Sequence, residues 1–435
     1  MPGRRGPANY TGALQREIAR RVLVLDLIQT LAFAGVVLFF GYGIKRLVPP
    51  LARYNIPAPV VGGMVVSIVV LAAQQRGVTL VKFDTTLQLP LQIAFFTTIG
   101  YGASFSLLRV GGPLVLMFFA FSTLIAFAQN VVGIATSMLV GQHPLLGVLA
   151  GSVTLTGGPA TGLAFAPQFE PAVPGAATVA VAAAMVGIVA GGLLGGPIGT
   201  FLIDRYRLST RDDARPARAA AAAGGRTMEN IVEDQMREPA PHAPAGEDIE
   251  AYGLLKALVL ILVAMWIGAW VSRGFTAIHV TLPAYIGAML VASIIRNVDD
   301  VTGLFGLSQK LIDDLGSVAL SLFLVLALMT LELWKLAALA LPLAIILIAQ
   351  LVLVAVVAVI GVYRLMGRDY DAAVMSSGFI GFMLGTTANA MANMEALAQK
   401  FRPAPKAFLV VPMVGAFFID FTNAIIITAF VNFYR

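Results

Sequence analysis

The sequence contains no cysteine and only three histidines among its 435 residues. Without cysteine it can form no disulfide, iron–sulfur cluster or thiolate zinc site. The histidines, His143, His242 and His279, are too far apart in the chain for a metal-binding His-x-x-x-His pair, and no Ser-His-Asp set can be assembled around them. A Gly-x-x-x-x-Gly-Lys-Ser/Thr phosphate loop is also missing. We therefore expect no enzyme activity, no coupling to ATP and no cofactor.

Charged side chains are scarce as well. They make up 12% of the chain, against 58% hydrophobic residues, whereas a soluble protein has about 25% charged residues. No Asp, Glu, Lys or Arg occurs from Val110 to Phe169 or from Pro171 to Ile203. Because a membrane-spanning helix takes about 20 apolar residues, these stretches predict helices in a lipid bilayer. The net charge of +6 is then explained by membrane orientation, and we expect no nucleic-acid partner.

The charge-poor segments divide into five before and five after a polar stretch near the middle of the chain. That stretch, residues 205–250, is rich in Ala, Pro, Gly and charged residues, and it predicts a flexible linker that cannot fold alone. We therefore predict an all-α polytopic membrane protein, with an N-terminal tail over 1–22 and five-helix repeats over 23–204 and 251–435. The predicted spans are 23–47, 57–75, 88–108, 112–140, 176–203, 253–272, 281–296, 312–334, 336–363 and 406–433.

Orientation is predicted from Lys and Arg, which are in excess in cytoplasmic loops. If both termini are periplasmic and the linker is cytoplasmic, most of the 29 Lys and Arg residues fall on the cytoplasmic side. The arginines of the N-terminal tail favour the opposite orientation. We predict a multi-pass protein of the bacterial inner membrane with the linker in the cytoplasm.

The two halves resemble each other in sequence. Residues 56–68 are similar to residues 282–294, and Ala128-Gln129 corresponds to Ala349-Gln350. Met185-Val-Gly187 corresponds to Met413-Val-Gly415 in the last span of each half. An odd number of spans per repeat places the second copy upside down in the membrane. The sequence therefore predicts two inverted-topology repeats of five transmembrane helices, an architecture of many secondary transporters.

Two apolar segments contain residues that break helices, each just before the last span of its half. They are Gly151–Gly162, with Gly157-Gly158-Pro159 in succession, and Ser376–Asn393, with three glycines among hydroxyl and amide side chains. We predict re-entrant loops at about 145–166 and 372–398. Unwound backbone at membrane depth is tolerated where it is buried in protein or lines a cavity, so the pair indicates a binding site. The alternative is that these small residues only allow tight helix crossings, the role that we assign to Gly187, Gly191, Gly195 and Gly199 in the fifth span.

The chemistry of the two segments suits a small anion together with a cation. Amide N–H groups and helix N-termini attract carboxylates, while hydroxyls, side-chain amides and carbonyls are hard oxygen ligands for Na⁺.

Asp420, with Asn423 one turn later, is expected to face the second loop, as a cation ligand or as a hydrogen-bonding support; a structural cap is the alternative. For Gln129, Asn130 and Gln350, the sequence leaves two roles equally open: hydrogen bonds between helices and contact with the substrate. The predicted substrate-binding residues are Thr154, Thr156, Gly157, Gly158, Thr161, Ser376, Ser377, Gly381, Thr386 and Thr387, and the predicted sodium-binding or loop-supporting residues are Asn389, Asn393, Asp420 and Asn423.

Several ordered segments together carry a family resemblance. They are Ala94-Phe-Phe-Thr-Thr-Ile-Gly100, Gly147–Gly158, Asp369-Tyr-Asp-Ala-Ala-Val374, Ala392-Asn-Met394, and Phe408–Asp420 with Asn423. The chain resembles the bacterial glutamate:sodium symporter family in these segments. The resemblance implies inverted five-helix halves with re-entrant loops, joined by a cytoplasmic linker. It also implies symport of L-glutamate across the inner membrane with Na⁺ as the coupling ion, by a homodimer in which a transport domain moves against a scaffold.

The chain departs from the family pattern in both loops. Family members usually have Gly-Gly-His-Gly-Thr in the first loop, where this chain has Pro159 in place of the histidine. The second loop usually has Gly-His, and here it is Gly378-Phe379. These differences keep an alternative open, a Na⁺- or H⁺-coupled transporter of another small carboxylate, such as a dicarboxylate or a hydroxy acid. A proton-coupled exchanger that uses Asp420 as its proton carrier and a passive pore are two further alternatives.

Overall fold

The computed structural model describes residues 23–76, 81–208, 248–277 and 283–434. The predicted N-terminal tail, most of the predicted linker, His242 and His279 lie outside these ranges. The described elements of the first half are β1 Leu23–Val24, α1 Leu27–Leu47, α2 Pro49–Arg53, α3 Ala58–Gln74, β2 Val81–Lys82, α4 Gln88–Gly102, α5 Phe105–Leu139, α6 Pro144–Val148, a π-helical turn Leu149–Val153, α7 Gly158–Phe169 and α8 Ala176–Arg205.

The second half repeats this order of long helices. Its described elements are α9 Ile249–Ala277, α10 Ala284–Thr302, α11 Gln309–Met329, a 3₁₀ segment Leu333–Leu339, α12 Ala340–Val357, a π turn Ala358–Val362, α13 Tyr363–Leu365, α14 Tyr370–Leu384, α15 Thr387–Lys400, α16 Pro405–Met413, a π turn Val414–Phe418 and α17 Ile419–Tyr434. The short strands β1 and β2 pair in parallel.

Six described helices are long and apolar enough to cross a membrane. They are Leu27–Leu47, Gly112–Leu139, Ala176–Arg205, Glu250–Phe275, Gln309–Met329 and Ala340–Leu365. The other predicted spans correspond to α3, α4, α10 and the run from α16 to α17, which are shorter or carry charges near one end. The described chain is therefore an all-α polytopic membrane protein, while the number of ten spans stays a prediction.

Local sequence signals explain where several helices begin. Asp26 caps α1 by accepting a hydrogen bond from the backbone N–H of Gln29 at 2.8 Å, and the Gln29 side chain accepts one from the N–H of Asp26. Such a reciprocal pair satisfies two N–H groups that a helix start leaves free. Helix α5 is interrupted at Gly112, which has φ +68° and precedes Pro113. This interruption coincides with residue 112, where the fourth span is predicted to start.

The helices form two packed groups. The six-helix group comprises α1, α3, α4, α9, α10 and α11: α1 packs on α3, α9 packs on α10, and α4 packs on both α10 and α11. The loop-bearing group comprises α5 to α8 and α12 to α17, and α8 packs against α7, α14 and α15 at its centre. Chain order alternates between the groups, so they are connected by Ala103–Ser104, by the linker and by the segment that ends at Leu339.

Equivalent contacts recur in the two halves of the six-helix group. The Ser67 hydroxyl of α3 donates to the carbonyl of Leu328, and the Ser293 hydroxyl of α10 donates to the carbonyl of Ala103 at 3.5 Å. In both crossings, α1 on α3 and α9 on α10, glycines allow close backbone approach: a Cβ atom on Gly41 would collide with the backbone of α3, and one on Gly268 with the backbone of α10.

Candidate functional site

Two interrupted helices of the loop-bearing group meet at their breaks. In the first, the backbone leaves helical geometry at Gly151 and at Gly158, which has φ +68°. In the second, α14 ends at Leu384 and α15 begins at Thr387. We call the broken ends, near Gly158 and near Gly385, the tips of the two segments. The two tips are in contact, because a Cβ atom on Gly158 would lie 3.5 Å from the carbonyl oxygen of Gly385. The helix break predicted at Gly157–Pro159 is confirmed.

The second segment is broken over a shorter range than the sequence predicted. Ser376 to Leu384 is α-helical, and the Ser376 hydroxyl bonds the carbonyl of Ala372 in its own helix at 2.8 Å. A Cβ atom on Gly381 would collide with the backbone of Ala390, and one on Gly378 would lie 2.7 Å from the Met394 sulfur. These glycines allow α15 to pack closely on α14, so the prediction of unwound backbone over this stretch was wrong.

Gln129 of α5 connects the two tips. Its side-chain oxygen accepts a hydrogen bond from the Thr156 hydroxyl at 2.6 Å, and its side-chain nitrogen donates to the carbonyl of Met383 at 3.0 Å. Its backbone carbonyl accepts from the Gln350 side chain of α12 at 2.6 Å. All of these side chains are buried. The glutamines thus make helix–helix hydrogen bonds, one of the two roles that the sequence left open.

Two asparagines hold Ser152 in the non-helical turn of the first segment. The Asn130 side-chain oxygen accepts from the backbone N–H of Ser152 at 3.0 Å, and the Asn423 side-chain nitrogen donates to the carbonyl of Ser152 at 2.9 Å. Asn423 was expected to face the second loop, but it contacts the first because α17 packs on α6 and the π turn after it. Asp420 is half-buried and makes no hydrogen bond or ion pair with the described residues.

Asn389 and Asn393 attach the second segment to α8. The side-chain nitrogen of Asn389 donates to the carbonyl of Ile188 at 2.7 Å, and that of Asn393 donates to the carbonyl of Gly191 at 3.0 Å. A Cβ atom on Gly187 would collide with the carbonyl oxygen of Leu384. The packing role predicted for the glycines of α8 is therefore confirmed, and α14 and α15 are what they pack against.

The remaining predicted substrate residues differ in exposure. The Thr154 hydroxyl donates to the carbonyl of Leu149 at 2.8 Å, and both Thr154 and Thr161 are buried. The Thr386 hydroxyl caps α15 by accepting from the N–H of Asn389 at 3.3 Å, and the Thr387 hydroxyl donates to the carbonyl of Gly415 at 2.7 Å. Thr386 and Thr387 are only half-buried. These two residues are therefore more exposed than Thr154 and Thr161.

The site is rich in neutral oxygen and nitrogen atoms and poor in charge. Within the described ranges, no group of three or more His, Cys, Asp or Glu residues could hold a metal ion. Several buried side-chain atoms around the breaks have no hydrogen-bond partner among the protein groups described. They are Asn130 Nδ2, Ser152 Oγ, Gln350 Oε1, Ser377 Oγ, Asn389 Oδ1 and Asn423 Oδ1.

Sequence reasoning missed Ser152 as a member of this site and did not assign Gln129 its central position. Ser152 follows Gly151 inside the segment predicted to be broken, which was the available signal. Gln129 lies in α5, more than twenty residues before the Thr156 side chain that it contacts, so only the tertiary fold reveals its partners.

Comparison with known proteins identifies the family of this chain. The family model described as sodium/glutamate symporter matches residues 23–403. A protein of Haemophilus influenzae named sodium/glutamate symporter is 42% identical over 400 residues, which cover 91% of this chain and 95% of that protein. A protein of Escherichia coli with the same name is 38% identical over 406 residues, covering 93% of this chain and 96% of the relative. The chain therefore belongs to the sodium/glutamate symporter family.

Proposed function

We propose that the protein is a secondary active transporter that moves L-glutamate across the bacterial inner membrane in symport with Na⁺. The observation that carries the proposal is the contact of two interrupted helices at Gly158 and Gly385 inside a buried polar network. Membership of the sodium/glutamate symporter family, whose curated relatives carry that name, gives the substrate and the coupling ion.

In this proposal the substrate carboxylates bind at the helix starts that follow the breaks. Helices α7 and α15 begin at the breaks, at Gly158 and Thr387, and the first N–H groups of a helix favour anions. Thr386 and Thr387 are half-buried hydroxyl residues at the start of α15. The proposed substrate contacts are Thr154, Thr156, Gly157, Gly158, Thr161, Ser376, Ser377, Gly381, Thr386 and Thr387, with Ser376 and Ser377 deeper in α14.

The cation is proposed to bind through amide oxygens. Asn389, Asn393 and Asn423 each donate their side-chain nitrogen to a backbone carbonyl, which leaves the side-chain oxygen for a hard cation. Asp420 supplies a carboxylate one turn from Asn423 and has no counter-charge among the described residues. No other cofactor is part of the proposal.

We also propose that the two halves are inverted repeats with re-entrant loops at α6–α7 and α14–α15. The same order of long helices in each half supports this, as do the Ser67 and Ser293 bonds and the paired glycine crossings. In such repeats, substrate and ion sites lie near the membrane midplane between interrupted helices.

Contacts between connections are consistent with the proposed sidedness. The backbone N–H of Leu25 donates to the backbone carbonyl of Lys82 at 3.0 Å, and the Glu170 carboxylate forms an ion pair with Lys335 Nζ at 3.4 Å. All four residues are expected at the periplasmic face. Tyr206 stacks on Tyr363 with ring centroids 4.9 Å apart, where the cytoplasmic face is expected. A cytoplasmic linker, periplasmic termini and a homodimer remain parts of the proposal.

Uptake by proteoliposomes tests the function. Radiolabelled L-glutamate should accumulate against its gradient when a Na⁺ gradient is imposed, and K⁺ at the same osmolarity should not replace Na⁺. Absence of glutamate uptake by folded protein would contradict the proposed substrate. Uptake of another dicarboxylate or a hydroxy acid in the same vesicles would then identify the alternative.

A proton-coupled exchanger is the second candidate, favoured by the unpaired Asp420. It predicts uptake driven by a pH gradient without Na⁺ and loss of that dependence in Asp420→Asn. Under the sodium proposal, Asp420→Asn instead lowers Na⁺-driven uptake, and a pH gradient alone drives none.

A glycine variant tests the location of the site. Gly158→Val is expected to abolish uptake because a β-branched residue at φ +68° is strongly disfavoured. Gly141→Val is the matched control, since Gly141 has φ +71° with no atom within 4 Å of a Cβ and lies outside the breaks. Both should lose stability, but only Gly158→Val should lose transport; full uptake by Gly158→Val would contradict the site.

A further inference from the structure

Ser152 is surrounded by buried polar atoms that the protein leaves unpaired. Its backbone N–H and carbonyl are held by Asn130 and Asn423 at 3.0 and 2.9 Å. Ser152 Oγ, Asn130 Nδ2 and Asn423 Oδ1 have no hydrogen-bond partner in the described structure, and all three residues are 0% exposed. A fourth such atom is Oε1 of Gln350, whose nitrogen bonds the carbonyl of Gln129, the neighbour of Asn130.

Packing alone does not explain this cluster. A buried polar group without a partner costs about 1–3 kcal/mol, so folded proteins rarely place several side by side. The fold brings them together by specific means. Gly151 has non-helical dihedral angles, and a Cβ atom there would lie 2.9 Å from Asn130 Oδ1. The absence of a side chain at Gly151 therefore allows α5 to approach the turn closely and brings these polar atoms to one place, which we call the Ser152 pocket.

The donor atoms select a small monovalent cation. The nitrogen of Asn423 is used by the Ser152 carbonyl, which fixes its carboxamide so that the oxygen stays available. A serine hydroxyl and amide oxygens are neutral, hard ligands, suited to Na⁺, and Asp420, one turn before Asn423, is the only carboxylate among the proposed cation ligands. Asn130 Nδ2 can donate to a water molecule that completes the coordination of the ion.

We propose that the Ser152 hydroxyl and the Asn423 carboxamide oxygen bind a Na⁺ ion beside the first break, in a pocket behind the substrate contacts at the tips. This rests on the proposed function in that the ion is the coupling ion. Ser152 also accepts the N–H of Gly157 through its carbonyl at 2.9 Å. Ion binding at Ser152 therefore stabilises the turn that positions Gly157 and Gly158, which links ion occupancy to the substrate site.

The test is Na⁺ binding to the purified full-length protein without glutamate, by ²²Na⁺ binding and by the Na⁺-dependent thermal shift, with K⁺ as the reference ion. Ser152→Ala removes only an unpartnered hydroxyl and breaks no protein hydrogen bond. It should raise the apparent Kd for Na⁺ about tenfold or more, as loss of metal-site interactions does. Asn423→Ala should have at least the same effect on the Kd.

Ser122→Ala is the matched control, because Ser122 also has a buried, unpartnered hydroxyl and lies on α5 two turns before Asn130. It should bind Na⁺ as the wild type does. Wild-type Na⁺ affinity in folded Ser152→Ala would overturn the pocket, as would an equal loss in Ser122→Ala.

The Na⁺-binding experiment and the uptake experiment distinguish failure of the proposed pocket from failure of the proposed substrate. Because the binding measurement contains no glutamate, a normal Na⁺ Kd that depends on Ser152 upholds the pocket even if the vesicles transport another carboxylate. Wild-type protein that transports glutamate with Na⁺ while Ser152→Ala keeps its Na⁺ affinity upholds the function and rejects the pocket. No Na⁺ binding by the wild type overturns both.

Discussion

Gln129 is the residue whose loss should most disturb the relation between the two breaks. Gln129→Ala removes the partner of the Met383 carbonyl and leaves the Thr156 hydroxyl only its contact with the Met383 sulfur at 3.8 Å, and a buried polar group left unpaired costs about 1–3 kcal/mol. We expect a lower melting temperature and loss of most uptake, measured by thermal shift and in proteoliposomes.

Gln92→Ala is the control for the loss of a buried glutamine. Gln92 makes one hydrogen bond, to the carbonyl of Ala164 at 3.3 Å, so its replacement should cost less stability and less uptake. Equal losses of stability and uptake in the two variants would show that the hydrogen bonds of Gln129 between the tips have no special role.

The two positions where the family resemblance leads us to expect histidines, Pro159 and Phe379, lie in different surroundings. Phe379 is fully buried in an aromatic cluster, with ring centroids 5.5 Å from Phe382 and 6.1 Å from Phe118. Pro159 lies in the first turn of α7, next to the break. Phe379→His would bury an imidazole among rings, at a cost of about 2 kcal/mol or more. We expect Phe379→His to lower the melting temperature without changing which carboxylates compete with glutamate.

Pro159→His provides the contrast, because it adds a hydrogen-bonding side chain beside the tips. Competition by other carboxylates should change in Pro159→His. A changed selectivity in Phe379→His alone would contradict this assignment of the two positions.

At the scale of elements, the glycine face of α8 offers a direct comparison. A Cβ atom on Gly187 would collide with the backbone carbonyl of Leu384, whereas one on Gly196 of the same helix has no atom within 4 Å. Gly187→Ala should displace the end of α14 and reduce both stability and uptake. Gly196→Ala should be neutral or stabilising by up to about 1 kcal/mol, since alanine favours helices over glycine. Normal uptake by Gly187→Ala would show that α14 tolerates displacement.

The stability of the first turn of α8 should depend on pH. Glu170 accepts hydrogen bonds from the N–H groups of Gly175 and Ala176 at 2.8 and 3.0 Å and pairs with Lys335. Burial alone would raise the pKa of Glu170, but these partners hold it below the ordinary value of 4.5. A lowered pKa means that the ionised carboxylate stabilises the fold above pH 4.5 and that this contribution is lost as pH falls through the lowered pKa.

Glu170→Gln should therefore lower the melting temperature at neutral pH and flatten its decrease on acidification. The side chain is 45% exposed, so the effect is small, about 0.5 kcal/mol. Glu332→Gln, which removes the other partner of Lys335, is the control. If the melting temperature of Glu170→Gln fell on acidification as that of the wild type does, Glu170 would not stabilise the start of α8.

The sequence predicted those features that a few adjacent residues determine. Gly157-Gly158-Pro159 cannot continue a helix, so the first break was predictable. Ser376–Leu384 was misjudged because its glycines serve close packing by α15, which is a tertiary contact. The partner of Asn423 was misjudged for the same reason, since it depends on which loop α17 packs against. Hydrogen bonds such as those of Gln129 join distant helices, and no local pattern encodes them.

At the scale of the whole molecule, the alternation of the chain between two helix groups suggests how transport proceeds. The loop-bearing group contains both breaks, and helices pack more extensively within each group than across the boundary between the groups. Tyr285 of α10 lies at this boundary: its hydroxyl accepts from the Gln168 side chain of α7 at 3.1 Å, and its ring lies 5.2 Å from that of Phe165. If the loop-bearing group moves relative to the six-helix group, these contacts must break in each cycle.

Because the natural chain has no cysteine, this can be tested by cross-linking without a background reaction. Cysteines at Gln168 and Tyr285, joined by a short bifunctional thiol reagent, should stop uptake, and a cleavable reagent should restore it after reduction. Cysteines at Phe33 and Phe83 are the control, since Phe33 lies in α1, Phe83 packs against residues of α1 and α11, and the two rings stack with centroids 5.8 Å apart. Cross-linking the control pair should leave uptake unchanged. Continued transport by the cross-linked Gln168–Tyr285 pair would mean that α7 and α10 stay together throughout the cycle, and the moving boundary would have to lie elsewhere.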